Sequence, residues 1–347
     1  MTRGFSRLQI ADCRLRPIYR LPISPFARPQ YSHILLFDTT LVKHHFDSQS
    51  DHAYNDRAMP ELPEVETVAR GLRASLVGCT IVGVEVRWAR SVIPPDPATF
   101  ARRLIGQAVT GVGRRGKWIV IALSGGDTLL VHLRMTGQLV LGPGGGYGKP
   151  PYSDGEWPDE RHVRVLFLLD DGRYLRFSDT RKFGRLWLVD DPAGVLGALG
   201  PEPLGDDFTA ARFGEMLAHR RGRIKPLLLD QRFLAGLGNI YTDETLWRAC
   251  IHPLRRADTL THAEVWRLHR SIRSVLRAAI ASGGTTLSDG TFQRTDGRSG
   301  EFASQLAVYG RVGQPCPRCG TTVEHIKVRQ RGTHFCPHCQ SLPEEKF

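Results

Sequence analysis

From residue 59 onward the apolar positions of the chain follow one period, then another, then a third. In PELPEVETVARGLRASLVG, Val65, Val68, Leu72 and Leu76 recur at helical spacing and form a single apolar stripe. Pro63 suits the first turn of that helix, and Glu64 and Glu66 suit its positive N-terminus. The period then shortens. Residues 80–87, 117–123, 128–133, 163–169 and 174–177 read as strands, the last two joined by a tight turn at Asp171-Gly172. Many short strands after one helix predict a β-sandwich or barrel-like domain ending near Val189. Residues 190–207 hold Pro192, Pro201 and Pro203 among several glycines and read as a linker. Beyond it the helical period returns at 209–220, 224–231, 239–248 and 261–282, with Asn239, after Gly236 and Gly238, in the place of an N-cap. The chain from Arg311 is a cysteine module, and no repeat of solenoid length occurs. The expected fold class is α+β, divided into 1–58, 59–190, the linker 191–207, 208–310 and 311–342.

Residues 1–58 differ from the rest. They carry four His, scattered Arg and Pro and no sustained period, which predicts an extension with little stable structure. Their short apolar stretch at 33–42 reads as coil. Composition adds little to this picture: 41% hydrophobic and 24% charged residues are ordinary for a soluble globular protein. No apolar run is long enough for a membrane span and no export signal opens the chain, so the expected location is the cytoplasm and no membrane is expected as a partner. Charge changes more. Of the net +12, the first 58 residues supply +3 and the remainder +9, so the basicity belongs to the folded body. That excess suits a polyanion bound through phosphate contacts, although a basic solvated surface would have the same charge.

Seven cysteines divide unequally. Cys13, Cys79 and Cys250 are scattered, and the last two sit among small or apolar residues, where a buried reduced thiol is expected. Cys316, Cys319, Cys336 and Cys339 form C-x2-C-x16-C-x2-C. Two short knuckles joined by a hairpin of that length can surround one Zn2+ tetrahedrally, and four thiolates leave no open position, so the expected ion is structural. Lys327, Arg329, Arg331 and His334 lie between the pairs, placed either to meet a phosphate or simply to solvate a loop.

The string PELPEVETVARGL, read from Pro60, resembles the N-terminus of bacterial formamidopyrimidine-DNA glycosylases. Stretches similar to that family follow in its order: RRGKW, HLRMTGQL, DTRKFG, LGPEPL, IKPLLLDQ, GLGNIYTDE, GGTTL, VYGR and RGTHFCPHCQ, together covering about residues 59–342. The resemblance implies an N-terminal β-sandwich with one leading helix, a helical helix–two-turns–helix domain and a C-terminal zinc-finger hairpin. It implies a monomeric enzyme, without nucleotide cofactor, that excises oxidised purines such as 8-oxoguanine or formamidopyrimidines from double-stranded DNA and cuts the strand at the abasic site. Pro60 matches the nucleophile, whose secondary amine attacks the sugar C1′ and forms an iminium. Glu61 matches the acid/base carboxylate, Lys117 a phosphate-holding lysine that assists β-elimination, and Arg331 an arginine tied to δ-elimination. Met135, Arg181 and Phe183 match the groups that fill the gap left by an extruded nucleotide. His162, Arg221, Lys225 and Asn239 match DNA-contact positions. The polar, Gly-rich stretch 288–300 suits a lid over the lesion.

One departure bears on the chemistry. A proline inside a peptide bond has no available lone pair, so the implied reaction needs a chain that starts at Pro60, by initiation at Met59 and Met removal or by processing. If residues 1–59 persist, the expectation changes to a protein that binds damaged DNA without cutting it. An endonuclease VIII-like glycosylase for oxidised pyrimidines shares the fold and nucleophile, but PELPEVET and the Arg181/Phe183 pair favour the purine branch. A generic zinc-ribbon protein leaves PELPEVET and GLGNIYTDE unexplained.

Overall fold

The computed structural model describes residues 59–142 and 160–342. The expectations for the extension 1–58 lie outside them.

Helix α1 (Leu62–Leu76) forms where the stripe predicts it, with Pro63 in its first turn and Val65, Val68, Leu72 and Leu76 buried. Two four-stranded antiparallel sheets follow. One has the order β1 (Ile81–Val86), β6 (Val163–Leu169), β7 (Tyr174–Asp179), β5 (Gly137–Gly142). The other has the order β2 (Val109–Arg115), β3 (Trp118–Leu123), β4 (Thr128–His132), β8 (Arg185–Val189). Inward residues of both sheets, among them Val112, Ile119, Val131, Phe167, Phe177 and Leu186, share one core with α1 and with Phe100 and Leu104 of α2 (Pro97–Leu104). Burial of that continuous apolar face holds the two layers together. Strands β2, β5 and β8 and helix α2 are additions to the elements read from the sequence.

The expected linker contains one short helix, α3 (Ala193–Leu196). Beyond it come α4 (Ala210–Ala218), α5 (Ile224–Leu229), α6 (Asn239–Ala249) and α7 (His262–Ala281), packed around a second core that includes Phe213, Ile240, Tyr241, Leu268 and Leu276. Leu62, the first residue of α1, belongs to this second core, and Phe292, from the loop after α7, belongs to the first. Each domain therefore places a side chain in the other's interior. The C-terminal hairpin, β9 (Glu324–Val328) paired with β10 (Arg331–Phe335), carries the cysteine cluster and packs through Cys316, Cys336 and Val308 beside Trp247 of α6. Among the described residues no helix is long and apolar enough to cross a membrane.

The scattered cysteines depart from expectation. Cys250 is exposed, because it ends α6 in the left-handed conformation at φ +56°. Cys79 is half-buried at the end of the first helix, where its sulfur accepts a hydrogen bond from Arg173 at 3.2 Å.

Candidate active site

The site is built where α1 meets α6. Glu61, only 2% exposed, precedes α1 and turns its carboxylate onto the amino end of α6. Its oxygens accept the backbone N–H groups of Gly238 at 2.6 Å, Ile240 at 2.8 Å and Tyr241 at 3.4 Å. These are the orphan donors of a helix start, so Glu61 caps α6 from another domain. The cap of that helix is thus Gly238, not Asn239 as read from the sequence. A side chain at 238 would stand 2.5 Å from Oε1 and 2.7 Å from Cγ of Glu61, which explains the glycine. Glu64, one turn into α1, is no solvated dipole partner either. It is buried, accepts the Tyr241 hydroxyl and the Thr285 N–H at 2.7 Å, and receives the Glu61 N–H at 2.9 Å. Burial raises its carboxyl above the ordinary range.

Lys117 occupies the turn between β2 and β3. Glu202 of LGPEPL fastens that turn, accepting Arg114 at 2.8 Å, Arg115 at 3.0 Å and the Gly116 N–H at 2.6 Å. The Lys117 side chain is 4% exposed and makes no hydrogen bond or ion pair with the described residues. Desolvation lowers its pKa, Glu61 and Glu64 raise it and Arg331 lowers it, so three of the expected groups lie within one electrostatic neighbourhood. Desolvation likewise carries Glu61 up to about 7, opposed by Lys117 and by the amides of 238 and 240 and reinforced by Glu64. An acid and a base each displaced toward neutrality can exchange protons with a substrate near pH 7. His132, beside Lys117, is held neutral by burial and the nearby cations, and its Nδ1 accepts the Arg134 N–H at 3.1 Å.

Arg331 reaches this neighbourhood on the tip of the β9–β10 hairpin, exposed, and its neighbour Gly332 explains how the tip is fixed. The Gly332 carbonyl accepts Lys225 Nζ at 2.8 Å and Asn239 Nδ2 at 3.0 Å. Lys225 is set differently from an exposed phosphate contact. Its side chain is 0% exposed and its ammonium pairs with Asp243 at 2.6 Å and with that carbonyl, which ties the hairpin to α5 and α6. Asp243 also accepts the His334 backbone N–H at 2.9 Å, and Glu244 next to it accepts the N–H groups of Ala307, Val308 and Tyr309. GLGNIYTDE is thus the junction at which both domains and the hairpin meet.

The expected gap-filling groups come together on one surface. Arg181 donates to Met135 Sδ at 3.1 Å and lies 4.8 Å from the centre of the Phe183 ring, which is 47% exposed. Buried Asp179 shapes their loop, its carboxylate accepting the N–H of Arg181 at 3.1 Å and of Gly184 at 2.6 Å. His162 is half-buried beside Arg164 at 3.3 Å, and Arg221 is exposed in the turn before α5. A recess beside Pro60 is lined by Met59, Glu64, Ile240, Leu287, Asp289 and Phe292 among others. Asp289, Thr291 and Phe292 of the stretch 288–300 line one side of it, with Gln138 Nε2 donating to Thr291 O at 2.9 Å.

The four cysteine sulfurs lie within 4.8 Å of one another, with Cys316–Cys339 at 3.9 Å and Cys319–Cys336 at 3.5 Å. Zn–S bonds of about 2.3 Å in a tetrahedron require sulfurs about 3.8 Å apart, so the donor set fits one zinc ion. The Trp247 indole N–H donates to Cys316 Sγ at 3.3 Å, an outer contact typical of a structural thiolate centre.

Three successive segments match family models: the formamidopyrimidine-DNA glycosylase N-terminal domain over residues 59–186, its H2TH domain over 199–291, and the zinc finger found in FPG and IleRS over 313–342. A formamidopyrimidine-DNA glycosylase of Chloroflexus aggregans is 48% identical over 288 residues, 82% of this chain and 99% of the relative. The chain belongs to the formamidopyrimidine-DNA glycosylase family. A family member from Roseiflexus is 47% identical over 285 residues, 81% of this chain and 100% of its own length. Among solved structures, the MutM (FPG) protein of Thermus thermophilus is 43% identical with a TM-score of 0.71, covering 81% of this chain and 98% of that one. A variant FPG of Lactococcus lactis bound to Fapy-dG-containing DNA is 36% identical with a TM-score of 0.72, covering 82% and 100%. As in the family, the zinc ion held by the four cysteines is structural.

Sequence reading took Glu64 only for a dipole partner and passed over Tyr241, Asp243, Glu244 and Glu202. A signal existed for two of them: Asp243-Glu244, flanked by threonines, stand between Ile240-Tyr241 and Leu246-Trp247, and charges buried there require partners.

Proposed function

We propose that this protein is a bifunctional DNA glycosylase and abasic-site lyase that removes oxidised purines, 8-oxoguanine and formamidopyrimidines, from duplex DNA. The observation that carries the reading is Glu61, a buried carboxyl set on the α6 amides directly after Pro60 and in the field of Lys117, whose ammonium has no hydrogen-bond or ion-pair partner among the described residues. In the active form Pro60 is the first residue. Its amine attacks C1′, the glycosidic electron pair leaves with the base, and a proton from Glu61 accompanies ring opening of the sugar. The resulting iminium acidifies the C2′ hydrogen, whose removal expels the 3′ phosphate. Lys117 holds a phosphate beside the lesion for that step, and Arg331 serves the second elimination, which releases the 5′ phosphate. Met135, Arg181 and Phe183 fill the gap in the duplex, with His162, Arg221 and Asn239 on the flanking backbone. Relatives of this fold are solved with DNA containing Fapy-dG and carbocyclic 8-oxo-G, and one with oxidised-pyrimidine DNA, so oxidised purines are the reading supported by two of these complexes and the pyrimidine branch by one.

A second reading rests on one observation: in the full chain the Pro60 nitrogen is part of a peptide bond with Met59. Such a chain would bind lesions and form no iminium. Borohydride trapping on 8-oxoguanine duplexes separates the two, comparing residues 1–347 with 60–347. We expect a covalent adduct with 60–347 only; failure of 60–347 to trap would refute the lyase.

The pH dependence follows from two groups. Glu61, raised to about 7, must be protonated to donate, and an α-amine of pKa about 8 must be neutral to attack. Protonated Glu61 is depleted as pH rises above 7, and neutral amine is depleted as pH falls below 8. The product of the two fractions gives an optimum between about 7 and 8, with kcat/KM falling about tenfold per unit on either side. A rate that stays level up to pH 9.5 would exclude Glu61 as the acid.

A further inference from the structure

The loop carrying Arg181 and Phe183 has a further support besides the Asp179 carboxylate. Lys182, between those two residues, lies in the left-handed region at φ +62°. A lysine keeps that conformation only where its surroundings impose it. Its ammonium sits 4.1 Å from the centre of the Trp88 ring. Trp88 follows β1, an edge strand of the first sheet, and its backbone N–H donates to the Arg164 carbonyl at 3.1 Å. The Arg164 guanidinium donates in turn to the Asp179 carbonyl at 2.8 Å, at the base of the same loop. Trp88 therefore reaches the loop by two routes, its ring face on Lys182 and its backbone through Arg164.

The indole N–H of Trp88 is buried without a hydrogen-bond partner among the described residues. Trp88 as a whole is half-buried, and a tryptophan whose N–H is turned inward is ordinarily oriented by that bond. Here the face of the ring, packed against the ammonium, sets the orientation instead, which is a poor use of the residue for stability alone. Lys182 is in addition the residue whose backbone conformation brings the Arg181 guanidinium over the Phe183 ring. Releasing it would let the backbone relax and separate the two.

We propose that Trp88 is a positioning residue for base extrusion, bracing the loop through Lys182 so that Arg181 and Phe183 enter the duplex as one unit. The proposal rests on the reading of Met135, Arg181 and Phe183 as gap-filling groups. A preformed pair loses less freedom on insertion than two independent side chains, so the brace acts on the rate of extrusion.

The experiment reads extrusion directly. Duplexes carrying 2-aminopurine beside 8-oxoguanine become fluorescent when the neighbouring base unstacks, and the full chain can be used because no bond is broken. At saturating protein, Trp88→Leu and Lys182→Met each slow the fluorescence rise about fourfold, the scale of a cation–π contact whose ammonium is open to solvent. The double variant is no slower than the slower single, since one contact is removed once. Lys182→Arg restores the rate to within about twofold, because a guanidinium also stacks on an indole. In whichever form of the chain proves active, cleavage at a preformed abasic site, where no base has to be expelled, stays within about twofold of the parent. A parent-like rise in Lys182→Met, multiplied effects in the double variant, or no rescue by arginine would overturn the proposal. Phe183→Ala is the reference: if it leaves the rise unchanged, the gap-filling reading itself fails, a result distinct from failure of the brace alone.

Discussion

Replacing Gly238 with alanine should abolish most excision, by at least about a hundredfold, and lower stability by ~2–4 kcal/mol. The backbone is not the reason. Gly238 is extended, at φ −132° and ψ −156°, a conformation alanine adopts freely. The reason is space: the added Cβ would overlap the Glu61 carboxyl group, 2.5 Å from Oε1 and 2.7 Å from Cγ. Glu61 is not a flexible end that can swing aside, because its oxygens hold three N–H groups of α6 and its own N–H is bonded to Glu64. Either the carboxylate leaves, stranding buried donors, or α6 moves away from α1. A double variant resolves the cause. Glu61→Ala with Gly238→Ala removes the overlap, so the melting temperature should exceed that of Gly238→Ala alone while excision stays absent. Equal melting temperatures for the single and double variants would show that the defect lies elsewhere.

That glycine illustrates what the sequence makes legible and what it hides. The α1 stripe is plain because one helix face is apolar throughout, and the cysteine spacing is plain because zinc demands it. Strand β2 is not, since Gly111 and Gly113 dilute its pattern and only Val109 and Val112 are buried. Strand β5 begins at Gly137, where a side chain would run into the Leu133 backbone, so close approach rather than strand propensity chose that residue. Helix α2 does carry its start signal. Asp96 accepts the N–H groups of Ala98 and Thr99 ahead of Pro97, but a stripe of only Phe100 and Leu104 is too short to read by period.

The site is legible in another way. Pro60, Glu61, Lys117, Arg331 and the Met135/Arg181/Phe183 group stand out by motif resemblance, and the structure supplies the reason some of them are near one another. Glu61 and Lys117 lie far apart in sequence, and nothing in either local string says that one faces the other. What joins them is the approach of α1 to α6 through Gly236 and Gly238, with Leu62 N–H donating to the Gly236 carbonyl at 2.9 Å. Long-range packing of this kind leaves only a glycine in the sequence, and a glycine has many explanations.

Lys225, expected at the DNA, is buried in an ion pair although lysines are usually exposed, and that geometry carries the second large effect. Lys225→Met should destabilise the protein by ~3–5 kcal/mol, because it strands the Asp243 carboxylate, without its ammonium partner, in a site with no solvent. The His334 N–H and ring would be left beside it, and of the two donors to the Gly332 carbonyl Asn239 would remain. The hairpin tip should then loosen, taking Arg331 away from Lys117, so strand cleavage should fall further than the first, base-removing step. Lys225→Met with Asp243→Asn should recover most of the stability, since the amide removes the stranded charge and still accepts from the His334 N–H. Salt dependence distinguishes this account from a direct DNA contact. A lysine that neutralises one phosphate contributes roughly one unit to the slope of log affinity against log salt. Measured on duplexes below the melting transition, the slope for Lys225→Met should equal that of the parent. A slope smaller by about one unit would return Lys225 to the DNA surface and would mean that the ion pair with Asp243 opens when DNA binds.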